Sequence, residues 1–281
     1  MRYTGHTIDC QKPTVQPPLF FYLIMIGWFC GTAGHAPENP DMRVLSSKTV
    51  IGDGEEYTYE VSWTVFKLGS IHLKVFPRYA VDARVDSYPS VPFVDLHSDH
   101  YSEMDTCFYS VGSRTSEKKE NDWWGLNYIY DLPQKRLIVE ETHQKDPDSP
   151  PFSAQVKDTL ILPSARFVDG LAIAFLPRLY IHTVTTLAVP TVLYGKIGTT
   201  TYHFTGERTT ESIEAVENPV KVVEFEGNTT AVGIFGMTGD FTAWFSDDDA
   251  AVPIKGKLKV LLGSVTVELV KWNRKGWNPP Q

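Results

Sequence analysis

Asp95, His97 and Asp99 stand at alternate positions, with His100, Glu103 and Asp105 close behind. On an extended segment the first three share one face, and two carboxylates with an imidazole are donors that a divalent metal accepts. The spacing matches no established ligand motif, and a polar strand edge produces the same pattern. Asp247, Asp248 and Asp249 form a second acidic cluster. It lacks the glycine-punctuated acidic repeat of a calcium loop, and hard cations need about six oxygens or more. A solvated turn accounts for it, because Asp and Ser side chains hydrogen-bond nearby backbone amides.

Nucleophilic chemistry finds less support. A serine hydrolase needs a G-x-S-x-G elbow and a partnered histidine, and the sequence contains no such elbow. The stretch 233–239, GIFGMTG, is glycine-rich but lacks the lysine of a phosphate-binding loop. The paired acids of a glycosidase stay open as a possibility of composition, since sequence spacing does not set spatial distance. No catalytic residue and no cofactor is assigned, and Asp95, His97 and Asp99 stand as the metal candidate.

Aromatic residues supply the other set of candidates. Trp63, Trp123, Trp124, Trp244 and Trp272, together with Trp277, exceed what core filling alone asks for. Tryptophan lines pockets for sugars, lipids and peptides, and it also seals large barrel-like cores. The first reading makes these residues contacts for an apolar ligand or a partner. The second makes them packing.

The elements that must position these groups read as strands. Val252, Ile254, Leu258 and Val260 alternate with Lys255, Lys257 and Lys259, one face buried and one wet. One-sided wetness suits an antiparallel sheet. After a Leu262–Gly263–Ser264 turn, Val265, Val267 and Leu269 continue the pattern. Tyr57, Tyr59, Val61, Trp63 and Val65 alternate with polar residues, and a turn at Lys67, Leu68 and Gly69 leads into Ile71, Leu73 and Val75. Shorter strand patterns follow along the chain. The acidic segment 86–105 carries Pro89 and Pro92, which exclude a central strand up to that point, and it is expected to rim an opening. The single helix spans 164–179: Ser164 caps it, Phe167, Val168, Leu171, Phe175, Leu176 and Leu179 form its stripe, and Pro177 ends or kinks it.

Together these patterns predict an all-β, mainly antiparallel protein: a strongly curved sheet or open barrel, with one amphipathic helix packed on it or plugging it. Residues 18–36 hold an apolar run and then small residues, the form of a secretory signal. The expected organisation is a signal peptide over 1–36, cut between Ala33 and Ala36, or else an uncleaved anchor. A flexible leader over 37–53, one β-rich domain over 54–277 and a tail over 278–281 follow. Removal of 1–36 takes Cys10 and Cys30 with it, so Cys107 is expected as an unpaired buried thiol. The net charge of −8 argues against a nucleic-acid partner. No other apolar run is long enough to span a bilayer, so the mature chain is expected to lack a transmembrane span.

Three stretches, 54–75, 169–180 and 239–272, resemble domain of unknown function 3108, a family of exported bacterial proteins. Its most specific part here is WFSDD followed by VPIK and GSV. The resemblance implies a β-rich periplasmic or cell-surface domain and brings no activity with it. Two function classes follow: a non-enzymatic envelope protein holding a lipid-like or other apolar ligand, or an assembly module that binds an envelope protein through its tryptophan-rich tail. A glycan hydrolase is the third.

Overall fold

The computed structural model describes residues 42–92, 94–146, 148–233, 238–259 and 263–281. Its strands are β1 (Glu56–Trp63), β2 (Phe66–Phe76), β3 (Ala80–Ser87), β4 (His97–Met104), β5 (Ser110–Lys119), β6 (Asp122–Asp131) and β7 (Arg136–Gln144). Then come β8 (Ser153–Ile161), β9 (Thr185–Leu193), β10 (Lys196–Glu211), β11 (Val220–Thr229), β12 (Gly239–Ser246), β13 (Pro253–Lys259) and β14 (Ser264–Asn273). All belong to one antiparallel sheet, which runs from β8 back to β1, crosses to β14, and continues back to β9. The sheet is thus two meanders joined along one seam, where Tyr59 pairs with Leu269 and Val61 with Val267.

Side-chain alternation sets the two faces. Tyr57, Leu73, Val81, Ile254, Phe225, Tyr202 and Val189 are buried on the concave side and form one core. Lys255 and Lys257 stand opposite them, as the lysine periodicity requires. Each fully buried aliphatic or aromatic side chain stabilises this arrangement by about 1.5–3 kcal/mol. At Gly227 an added Cβ would lie 2.3 Å from the Phe241 ring, so the ring fits only because no side chain is there.

The sheet curls until its ends overlap. Val192 on β9 packs with Tyr128 of β6 and with Leu137 and Val139 of β7, along with Leu162 and Phe167. The Tyr128 hydroxyl accepts a hydrogen bond from the Gly195 amide at 3.1 Å. Segment 162–171 threads between the layers. Val168 donates to the Pro190 carbonyl at 3.0 Å, Val192 donates back to Val168 at 2.9 Å, and Ser110 donates to the Phe167 carbonyl at 2.9 Å. The β9 edge is covered this way, whereas β8 is exposed along nearly its whole length.

Several expectations are corrected in detail. The helix is confined to α2 (Ala172–Phe175) and a 3-10 turn at Leu176–Leu179. Its N-cap position is Leu171, and Asp169, two residues earlier, anchors the start by accepting the Leu171 and Ala172 amides at 2.9 and 3.0 Å. The Ser164 hydroxyl instead accepts the Arg166 amide at 3.0 Å, a local turn that diverts the chain before any helix forms. Phe167, Val168, Phe175, Leu176 and Leu179 are nevertheless all buried, so the periodicity located the packed face. The first hairpin turns at Thr64, where φ is +54°, and Lys67, Leu68 and Gly69 belong to β2. Within the acidic segment, 97–104 is strand β4 and lies inside the sheet. The leader packs from Leu45 onward, with α1 (Ser47–Val50) burying Val50. Cys107 is disulfide-bonded, which corrects the expectation of an unpaired thiol. Cys10 and Cys30, the remaining cysteines, lie outside the described residues, as does the proposed signal segment.

Candidate functional site

Inside the curl, between the concave face and α2, lie two adjoining chambers of about 350 and 370 Å³. Ile173, Leu193, Gly233 and Val267 line both and form the wall between them. The first is almost wholly apolar, walled by Tyr202, Phe225, Phe241, Phe245, Leu258 and Tyr59. Its floor is Ile173, Ala174 and Pro177 from the helical segment. The sequence makes this space with small residues in line: Ala243 faces Gly256 across β12 and β13, and Gly256 faces Val267. A Cβ built on Gly256 meets nothing within 4 Å.

The second chamber ends in a few polar groups. His100, Ser113, Thr115 and Asp169 share its wall with Ile71, Val85, Tyr128 and Leu171. His100 shares a hydrogen bond with the Ser98 hydroxyl at 3.0 Å. Burial pushes its pKa down to about 4, with nearby Asp99 acting weakly the other way. The ring is half-buried and borders the chamber. The Asp169 carboxyl is pushed up by burial, against hydrogen bonds from Ser102, at 2.6 Å, and from the helix amides. These groups anchor α2 and are mostly satisfied within the protein. The interior is therefore suited to an apolar chain with at most one polar end.

A third, larger depression of about 730 Å³ lies on the outer face of β2–β7, beneath the loop that follows β7. It gathers Asp82, Asp99, Glu140 and Asp148 with Lys74, Arg84 and Arg114. Arg84 grips Asp99 through bonds of 2.9 and 3.2 Å, and Glu140 accepts from Asn127 at 3.1 Å. Arg84 and Asp99 neutralise each other, Lys74 pairs with Glu56 and Arg114 lies over the Tyr101 ring, so size alone does not make it the better site.

The metal candidate is split by the register. Arg84 lies opposite Asp99 and Asp86 opposite His97. His97 sits between Asp86 at 2.6 Å and Asp95 at 3.2 Å, while Asp99 belongs to Arg84. Among the described residues no group of three or more His, Cys, Asp or Glu side chains is gathered to hold a metal ion. The acidic turn at 247–249 is also engaged: Asp248 accepts the Ala250 and Ala251 amides and the Trp277 indole, and Asp249 pairs with Arg43.

The structure disperses the tryptophans. Trp63 stacks on Phe66 at the first hairpin, 6.3 Å between centroids. Trp124 stacks on His143 at 4.1 Å, and His143 lies 4.2 Å from Phe152. Trp123, its neighbour in β6, is half-buried opposite Gln144. Trp244 lies outside the chamber, donating to Glu224 at 2.6 Å beneath Lys257. Trp272 meets Trp277 edge-on, and Trp277 meets Tyr57. None of the five candidates lines either apolar chamber. The tail folds back on the chain, since Pro280 accepts the Lys221 amide at 2.7 Å.

Sequence reasoning missed the group that holds the chamber floor. Arg178 is completely buried and donates to Glu55 at 2.9 Å and to the carbonyls of Val50, Ala250 and Ala251 at 2.7, 2.9 and 3.1 Å. Arg274 holds the other Glu55 oxygen and the Val50 carbonyl. One ion cluster thereby ties α1, the helical segment, the turn after β12 and the end of β14. A lone arginine in an apolar stripe was the only sequence signal.

Comparison with known proteins adds a family and a distant likeness. The sequence model for DUF3108, protein of unknown function, matches residues 58–270. Among curated proteins there is no match. A solved structure, the beta-barrel-like protein of domain of unknown function DUF1849 from Brucella abortus, is similar with a TM-score of 0.47 and 10% identity. That match covers 84% of this chain and 100% of the other.

Proposed function

We propose that this chain, which belongs to the DUF3108 family of proteins of unknown function, is an exported, non-enzymatic carrier that holds a lipid-like or other apolar molecule inside its curled sheet. The observation that carries this reading is the pair of adjoining chambers, whose combined size falls in the range of small-molecule sites. Their walls are aromatic and aliphatic, and the polar groups present are mostly bonded within the protein. A single alkyl chain satisfies such a surface without leaving a donor or acceptor unpaired.

Export is supported by the apolar run within 18–36; the disulfide at Cys107 stands against a cleaved signal, because the other two cysteines, Cys10 and Cys30, both lie before the cut. A cut between Ala33 and Ala36 would remove both other cysteines, so the intact mass of the exported protein distinguishes cleavage from retention as an anchor. The ligand reading is tested by native mass spectrometry and organic extraction of protein purified without detergent. A co-purifying amphiphile, or saturable binding of dansyl-labelled undecanoic acid, is the expected result. Protein that is folded, empty and indifferent to that probe would end the proposal.

A further inference from the structure

We propose that a sugar ring, the head of a glycolipid or part of a free glycan, binds in a polar pocket of about 220 Å³ formed by strands β4 to β8 and the turn between β9 and β10. Its lining includes Glu117, Lys119, Trp124, Glu141, Lys157 and Tyr194. His100, Thr115 and Tyr194 also line the second apolar chamber and partition the two spaces. The register sets one row of neighbours across the sheet: Ser98, Glu117, Trp124, His143 and Ser153. His143 lies nearly parallel to the Trp124 ring, at 4.1 Å and 19°. Phe152 and Asp122 hold His143 in turn, at 4.2 and 3.3 Å. This stack covers one face of the indole, and the other turns towards Glu117. Trp124 is thus exposed yet braced, and a ligand meets a ring already ordered. Tyr194 lines the pocket from the β9–β10 turn. Its φ of +48°, followed by +71° at Gly195, makes a turn that favours Asn or Gly in the first place, so a tyrosine there is strained.

The lining selects a neutral ligand. Two acids, Glu117 and Glu141, stand against two lysines, Lys119 and Lys157, and Lys157 donates to Glu141 at 2.5 Å. Such a wall attracts neither an anion nor a cation as a whole. Among the described residues no hydrogen bond or ion pair engages the Glu117 carboxylate, the Tyr194 hydroxyl or the Trp124 indole N–H. Burial, and then the Glu117 carboxylate, push the Tyr194 phenol above its usual range, so it stays a donor. A pyranose answers each feature. Its apolar C–H face fits a flat indole, and its rim of hydroxyls can donate to Glu117 and accept from Tyr194 and Trp124. The volume lies below the range of drug-sized sites, which leaves room for one ring. A quaternary ammonium also favours aromatic rings, but Lys119 and Lys157 oppose it.

The test is saturation-transfer NMR of the full chain with methyl β-glucoside, methyl β-galactoside and methyl N-acetyl-β-glucosaminide, with their octyl counterparts below the micelle threshold, and with choline. Wild type should transfer saturation to the ring protons of at least one glycoside. Trp124→Ala and Glu117→Gln should each weaken that glycoside roughly tenfold. Both variants should keep their circular dichroism and their binding of dansyl-labelled undecanoic acid, since neither residue lines an apolar chamber. An octyl glycoside that binds more tightly than its methyl counterpart and displaces the dansyl probe identifies a glycolipid head. One that does neither identifies a free glycan, and both results support the pocket. Failure of every glycoside to bind overturns the proposal, as does binding that both variants retain in full, or binding of choline alone. Glycoside binding by protein indifferent to the dansyl probe would end the carrier reading and leave this site standing.

Discussion

Filling the chamber from its wall should separate ligand binding from folding. Gly256 faces inward between Ala243 and Val267, and a side chain there enters open space. In Gly256→Leu the four side-chain carbons take the place of about four ligand methylenes, each worth about 0.8 kcal/mol. The loss is about 3 kcal/mol, on the order of a hundredfold in Kd. Folding is affected in the other direction. A strand interior gains about 0.5–1 kcal/mol when glycine is replaced, and the leucine is partly buried besides. Titration with dansyl-labelled undecanoic acid should therefore show a much weaker complex, while the urea midpoint stays level or rises. A variant that is folded and binds the probe within about threefold of wild type would show that the ligand does not lie in this chamber.

Three further outcomes follow from the same geometry. Arg178→Met should cost about 3–5 kcal/mol by urea unfolding, because it leaves the buried Glu55 carboxylate with only Arg274 as counter-ion. Below pH 6.5 an unfolded chain protonates His100 while the folded chain, with a pKa of about 4, does not. Stability should therefore fall as pH drops from 6.5 towards 4, by at most about 3 kcal/mol for this group and less if water fills the chamber. His100→Gln should remove that part of the pH dependence of the urea midpoint. Gly227→Ala places a carbon 2.3 Å from the Phe241 ring and 2.5 Å from the Thr201 carbonyl, so melting should report a loss of about 1–3 kcal/mol.

The parts of this fold legible in the sequence are those where one face is oily and the other wet. β13, β14 and β1 follow that rule, whereas in β12 Ala243 to Ser246 are buried on both faces. β8 does not: Ser153–Ile161 is exposed on both sides and so has no alternation to read. β4 hides for the opposite reason, since its inward residues include Ser98, His100 and Ser102, polar groups that line or anchor the second chamber. The Arg178–Glu55 pair joins residues 123 apart in sequence, and nothing local marks either as a partner. The aromatic candidates misled because tryptophan serves packing and stacking equally well. The chamber itself depends on which small residues fall opposite one another, and that is a property of strand register.

The seam between β1 and β14 has one more consequence. The cavity wall draws Tyr59 from the first strand and Val267 from the last. A polypeptide delivered amino end first presents its opening strands long before their neighbour exists. Until the final hairpin emerges there is no interior to close around, and β1 waits with a bare edge. Emergence of β13 and β14 thus becomes the event that licenses collapse, and a long-range closure of this kind is slow.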